Sequence, residues 1–263
     1  MPEPSQPVVH DGAELCGLVL RCVLTTADNG SSLQASTLRR LTEELRGIDG
    51  SVGAVLLVGT GSNFCTGGDV QGFAQAEDVG RHVHQLADLF HDFQRAVRNA
   101  PVPVVAAVQG WAAGAGMSAV LAVDVAVAGT STRLRPAYPA LGFSPDGGMS
   151  WLLPRLIGAG RARHVLLTDT VIDAAQALEW GLVSMVVPDP DVLAEAERIA
   201  GQLAEGPTRA LGRIKQLIGD AECRDLDSHL DAEAAAIAAS ATDDEGRAGV
   251  AAFAARRPPR FRD

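Results

Sequence analysis

"PVPVVAAVQGWAAGAGMSAVLAVDVAVAG" spans Pro101–Gly129. Val102–Gly110 is a short apolar run rich in valine, the composition of a buried strand. Ala112–Ala122 holds only small and apolar side chains and reads as a short buried helix. Val123–Gly129 has strand composition again. Outward from this stretch the alternation continues. "VGAVLLVG" (Val52–Gly59) is a buried strand. "VGRHVHQLADLFHDFQRAVRNA" (Val79–Ala100) carries Val83, Leu86, Leu89, Phe90, Phe93 and Val97 on one side and predicts a long helix, ended by Asn99-Ala100-Pro101. Leu33, Leu38, Leu41 and Leu45 predict an amphipathic helix, and Glu14–Leu24 predicts one strand. Such alternation argues an α/β fold with much parallel pairing. After Pro188 the pattern changes to helices alone. Two regions are therefore expected, a core over residues 1–188 and a helical region over 189–263.

Composition excludes several classes of function. The 263 residues are 47% hydrophobic and 21% charged, enough for a large buried core. A formal net charge of −10 repels nucleic acid. No basic stripe is interleaved with aromatics, and the one tyrosine, Tyr138, makes no base-stacking platform. "VLAVDVAVAG" is too short for a membrane span and is interrupted by Asp124. "MPEPSQPVVH" lacks the basic start and apolar run of a signal peptide. Cys16, Cys22, Cys65 and Cys223 form no C-x-x-C pair, and no H-E-x-x-H occurs, so no metal is expected. The cysteines read as small core residues in a reducing, cytoplasmic compartment.

Glycine clusters stand out at Gly67-Gly68, in "QGWAAGAGMS" (Gln109–Ser118) and in "PDGGMS" (Pro145–Ser150). Taken singly, each serves a tight turn. None fits a phosphate-binding fingerprint or a nucleophile elbow. Taken together, two such loops before helices can aim backbone N–H groups at one oxygen, with the helix dipoles adding positive potential. That device stabilises an enolate or a tetrahedral oxyanion.

"FCTGGDV" (Phe64–Val70), the Pro101–Ala128 stretch, "LGFSPDGGMSWLLPRLIGAGRARHVLL" and "ALEWGLVSMVV" together resemble the crotonase superfamily, the enoyl-CoA hydratase/isomerase family. The likeness runs in order over nearly the whole chain. It implies a spiral of repeated ββα units, a helical C-terminal trimerisation region, and an acyl-CoA thioester substrate. CoA is then part of the substrate rather than a separate cofactor. It implies that the N–H groups of Gly68 and Ala115 form the oxyanion hole. Ala115 is a mild departure, since glycine is frequent there in the family. It also implies substrate contacts near Ser32, Leu33, Thr66, Asp69, Val70 and Gly114. Lys215 and Arg256 are candidates for the CoA phosphates, although a solvated helix face accounts equally for Lys215. A homotrimer or a dimer of trimers is expected.

Family hydratases carry two glutamates. The matching positions here are Ser118 and Tyr138. Neither replaces a carboxylate that must activate water, which argues against simple hydration. Asp146, in "SPDGG", matches a position where isomerase-type members carry an acid. A single base there suffices to move a proton along the acyl chain. Asp146 also suits a helix cap. Tyr138 and Trp111 are candidates for the wall of the acyl pocket. Double-bond isomerisation is therefore favoured. A hydratase with a non-standard acid and base, or a non-catalytic acyl-CoA-binding protein, are the alternatives.

Overall fold

The computed structural model describes residues 12–262. Its strands are β1 (Ala13–Cys16), β2 (Val19–Thr25), β3 (Ala54–Gly59), β4 (Val104–Val108), β5 (Trp111–Ala113), β6 (Val125–Gly129), β7 (Arg133–Arg135), β8 (Ile172–Asp173) and β9 (Met185–Val187). Its helices are α1 (Ala35–Arg46), α2 (Val70–Gln75), α3 (Val79–Asn99), α4 (Ala115–Ala122), α5 (Met149–Thr168), α6 (Ala174–Glu179), α7 (Val192–Ala204), α8 (Thr208–Ala221), α9 (Leu226–Thr242) and α10 (Asp244–Ala254).

The larger sheet has the order β1-β2-β3-β4-β6-β9 and is parallel except for the β1–β2 pair. The smaller sheet has the order β5-β7-β8. The ββα unit is visible twice in succession. β4 and β6 join the large sheet, β5 and β7 join the small one, and α4 and α5 follow. Each crossover returns the chain one strand further on, which winds the spiral.

The apolar runs are continuous because both faces of the large sheet are covered. Val55 and Leu57 point into the cluster shared with Leu41, Phe93 and Val97 of α1 and α3. Leu56 and Val58 point the other way, onto Ala196, Ala200 and Ala204 of α7. Small residues on α7 let it lie close. A β-carbon on Gly53 would collide with the backbone of Ala204.

The structure changes several expectations. Glu14–Leu24 is a hairpin rather than one strand, turning at Gly17 with φ 62°. Cys16 is consequently exposed rather than a core residue, and Cys223 is exposed as well, while Cys22 and Cys65 are buried. The helical region set at residue 189 begins inside the core, since α7 covers the sheet. No described helix is long and apolar enough to cross a membrane.

Burial also makes the core sensitive to alkali. It pushes the thiols of Cys22 and Cys65 up to about 12. Both folded-state values are raised, so their contribution to stability is complete below about pH 9 and is lost as pH climbs toward 12. The melting temperature of wild type is expected to fall over that window. A Cys22→Ala/Cys65→Ala variant is expected to fall less steeply, as differential scanning fluorimetry against pH will read.

Candidate active site

The two oxyanion candidates are brought together by a short parallel pairing. Cys65 bridges Ala112: its N–H donates to the Trp111 carbonyl (3.1 Å), and its carbonyl accepts from Ala113 N–H (2.9 Å). The Asn63 side chain takes the Trp111 N–H at 3.0 Å and holds the register. Both chains then turn at the same level, at Gly67 (φ 98°) and Gly114 (φ 54°), conformations that L side chains rarely adopt. A β-carbon on Gly67 would stand 3.8 Å from the Ala115 nitrogen, and one on Gly114 would stand 3.9 Å from the Gly67 α-carbon.

Peptide planarity fixes where the two N–H groups point. The Gly67 carbonyl accepts from Leu33 N–H at 2.8 Å. The trans peptide therefore turns Gly68 N–H to the opposite side. The Gly114 carbonyl accepts from Ser118 N–H at 3.1 Å inside α4. Ala115 N–H therefore points out of the helix start, where such donors have no intrahelical partner. Among the described residues, neither N–H has a protein acceptor. Phe73 of α2 lies against Gly68, 2.9 Å from where a β-carbon would sit.

The expected CoA-side residues gather on one ledge. Thr66 N–H donates to the Ser31 carbonyl (2.8 Å), and Thr66 Oγ1 donates to the Gly30 carbonyl (3.1 Å). Ser32 Oγ donates to the Asn29 carbonyl (2.7 Å), and Leu33 bridges Gly68. Asp69 Oδ1 accepts from Gly72 N–H (3.1 Å) at the start of α2, beside exposed Val70.

A second cluster lies one helical turn from Ala115. Ser118 Oγ donates to the Asp146 carbonyl at 3.1 Å and lies 3.4 Å from the Tyr138 hydroxyl. That hydroxyl donates to Asp146 Oδ1 at 2.7 Å. Burial, and then the adjacent Asp146 charge, push the Tyr138 hydroxyl well above the ordinary tyrosine value, so it stays a donor. The segment that leads from β7 to Tyr138 is held by Asp169. Its Oδ2 accepts from Arg135 Nε (3.0 Å), and its Oδ1 accepts from Ala137 N–H (2.8 Å). The Asp146 side chain does not cap α5. Gly148 is the N-cap, and only the Asp146 carbonyl serves that turn, accepting from Met149 N–H at 3.2 Å.

Lys215 is turned inward, so the phosphate role and the solvated-face role are both corrected. Its Nζ lies 2.9 Å from Asp124 Oδ2 and donates to the Val97 carbonyl at 2.8 Å. Burial pulls its pKa below the ordinary lysine value despite the opposing pull of Asp124. Asp124 Oδ2 also accepts from Val104 N–H at 2.7 Å, which ties α8 to the start of β4. Lys215→Met would leave Asp124 without its counter-ion. It is expected to cost about 3 kcal/mol and lower Tm by on the order of 10 °C, with acyl-CoA affinity unchanged. Calorimetry and a binding titration check both halves. Arg256 is exposed just after α10, and Trp111, the first residue of β5 in the small sheet, is partly exposed.

His91 and Gln94 of α3 enter the site unannounced. They bond the Gly147 amide and carbonyl respectively. His84, seven residues before His91 on the same helix, pairs with Asp88 in solvent instead.

A sequence profile of the enoyl-CoA hydratase/isomerase family matches residues 20–263. The chain is 35% identical over 250 residues to a 1,2-epoxyphenylacetyl-CoA isomerase of Escherichia coli, covering 92% of this chain and 94% of that one. It is 34% identical to a probable enoyl-CoA hydratase of Rhodobacter capsulatus, covering 88% and 89%. The crystal structure of an enoyl-CoA hydratase from Polaromonas superposes with a TM-score of 0.90 at 32% identity, over 95% of this chain and 98% of that one. The chain belongs to the enoyl-CoA hydratase/isomerase family, the crotonase superfamily, and has its fold. It is an enzyme of the class that acts on acyl-CoA thioesters. Its relatives carry both isomerase and hydratase names.

Proposed function

We propose that the protein moves a double bond in an acyl-CoA thioester by a one-base proton shuttle. The Gly68 and Ala115 N–H groups hold the thioester oxygen as it gains charge. Asp146 removes a proton beside the carbonyl and returns it further along the chain. The observation that carries this proposal is the Tyr138–Asp146 hydrogen bond of 2.7 Å. It places a carboxylate beside the two positions, Ser118 and Tyr138, where family hydratases hold theirs. Hydration asks for one group to activate water and another to deliver a proton. Ser118 and Tyr138 supply hydroxyls only, which favours the one-base route. The 1,2-epoxyphenylacetyl-CoA isomerase relative is consistent with isomerase chemistry on this scaffold.

The test is to incubate the protein with 2-enoyl-CoA and 3-enoyl-CoA of several chain lengths in heavy water. Double-bond movement with deuterium entering beside the carbonyl is expected. Net hydration in its place favours the hydratase alternative. Tight binding with neither reaction favours a carrier.

We also propose that the chain assembles as a trimer or a pair of trimers. Helix α9 buries no side chain, although Leu226, Leu230 and Ile237 are 71%, 50% and 72% exposed. An apolar face of this kind marks an interface. Sedimentation equilibrium is expected to give a multiple of three times the 27.3 kDa chain mass. A monomer or a dimer contradicts it.

A further inference from the structure

We propose that His91 and Gln94 are positioning residues that grip the Gly147 peptide from one face of α3 and thereby fix the carboxylate of Asp146. The proposal rests on the one-base reaction above. Gly147 N–H donates to His91 Nε2 at 3.1 Å. Gln94 Nε2 donates to the Gly147 carbonyl at 2.8 Å and to the Ser118 carbonyl at 3.0 Å. Residues three apart on a helix share a face, so one surface of α3 satisfies both polar atoms of a single residue. Through Ser118 the same amide also holds α4, which carries the Ala115 N–H. The acid and one oxyanion donor are thus tied to a common support.

The backbone at Gly147 is pressed directly onto that support. Its φ is 62°, and a β-carbon there would collide with the ring of buried Phe90 and stand 2.9 Å from the Ser118 β-carbon. The chain just before it, Leu141–Ser144, is exposed. Without the grip, Asp146 would sit at the end of a surface loop, and a misplacement of about 1 Å can cost ~10²-fold in rate. Gln94 Oε1 is buried without a hydrogen-bond partner among the described residues, so the polar side chain is kept for its two N–H contacts. His91 does not itself act as the base through Nε2, because that nitrogen already accepts the Gly147 N–H.

The experiment compares His91→Leu, Gln94→Leu and His91→Gln with Asp146→Asn, all in the heavy-water exchange assay. Each leucine variant is expected to lose ~10- to 100-fold in kcat. KM should stay near wild type, because the acyl-CoA ledge is untouched. His91→Gln, whose amide oxygen reaches where Nε2 was, is expected to recover most of the rate. Wild-type kcat in both leucine variants, with Asp146→Asn inactive, overturns the proposal. If Asp146→Asn keeps its exchange, the base assignment fails instead, and exchange of the Gly147 amide decides the grip. Protection in wild type that is lost in His91→Leu supports it, and equal exchange refutes it. Should a leucine variant not fold, ¹⁵N-histidine spectra of the wild type decide. Unprotonated Nε2 on His91 supports the grip, and protonated Nε2 overturns it.

Discussion

Asp146→Asn is expected to slow deuterium entry beside the thioester carbonyl by ~10²–10⁴-fold, the usual contribution of a positioned base. Asparagine matches the shape of aspartate, and its oxygen still accepts from the Tyr138 hydroxyl. The loop therefore keeps its place, and acyl-CoA affinity and Tm should stay near wild type. What disappears is the negative charge that takes the proton. Tyr138 does not substitute, because burial, the larger cause of its raised pKa, keeps its hydroxyl protonated even without the neighbouring acid. Undiminished exchange in this variant refutes the role of Asp146. Tyr138→Phe is a companion. It removes the 2.7 Å donor while leaving the charge, and a smaller loss separates tuning of the base from its presence.

Ala115→Pro is expected to lower kcat by ~10²–10³-fold, as for loss of one oxyanion donor. The substitution uses a property of helix starts. Ala115 is the first residue of α4, with Gly114 as its N-cap, and proline is well accepted there because the N–H has no helical partner. Folding is thus expected to survive. The deleted atom is the hydrogen proposed to meet the enolate oxygen. Because the proline ring adds bulk beside that point, an amide-to-ester replacement at the same residue provides the control. It deletes the N–H without the ring and should show a comparable fall. Wild-type kcat in both forms removes the oxyanion role from Ala115.

Much of the fold was legible in the chain because its signals are local and periodic. Buried runs such as Val104–Val108 are strands wherever they sit, and the spacing in α1 and α3 allows one apolar face. The Glu14–Leu24 hairpin was missed because Gly17 is a lone glycine inside β-rich sequence, and its positive φ is not written in composition. The role of α7 was missed because an Ala-rich helix looks alike against a sheet or against another subunit. Lys215 was misread because its partner, Asp124, lies far away in the sequence. Only tertiary contact reveals that the two share a buried site.

Ala112 lies in β5 and α4 starts only at Ala115, but by itself the amino-acid order determined the loops whose glycines permit positive φ, a short buried helix ending at Ala122, and the absence of acids at positions 118 and 138. These follow from single residues and their immediate neighbours. Tertiary structure alone decided that two separate loops turn side by side, that the Tyr138 hydroxyl meets Asp146, and that His91 and Gln94 close on Gly147. Those pairings depend on hydrogen bonds between residues up to 56 positions apart. Direction in space, unlike helix or strand preference, is set only once the sheets have packed.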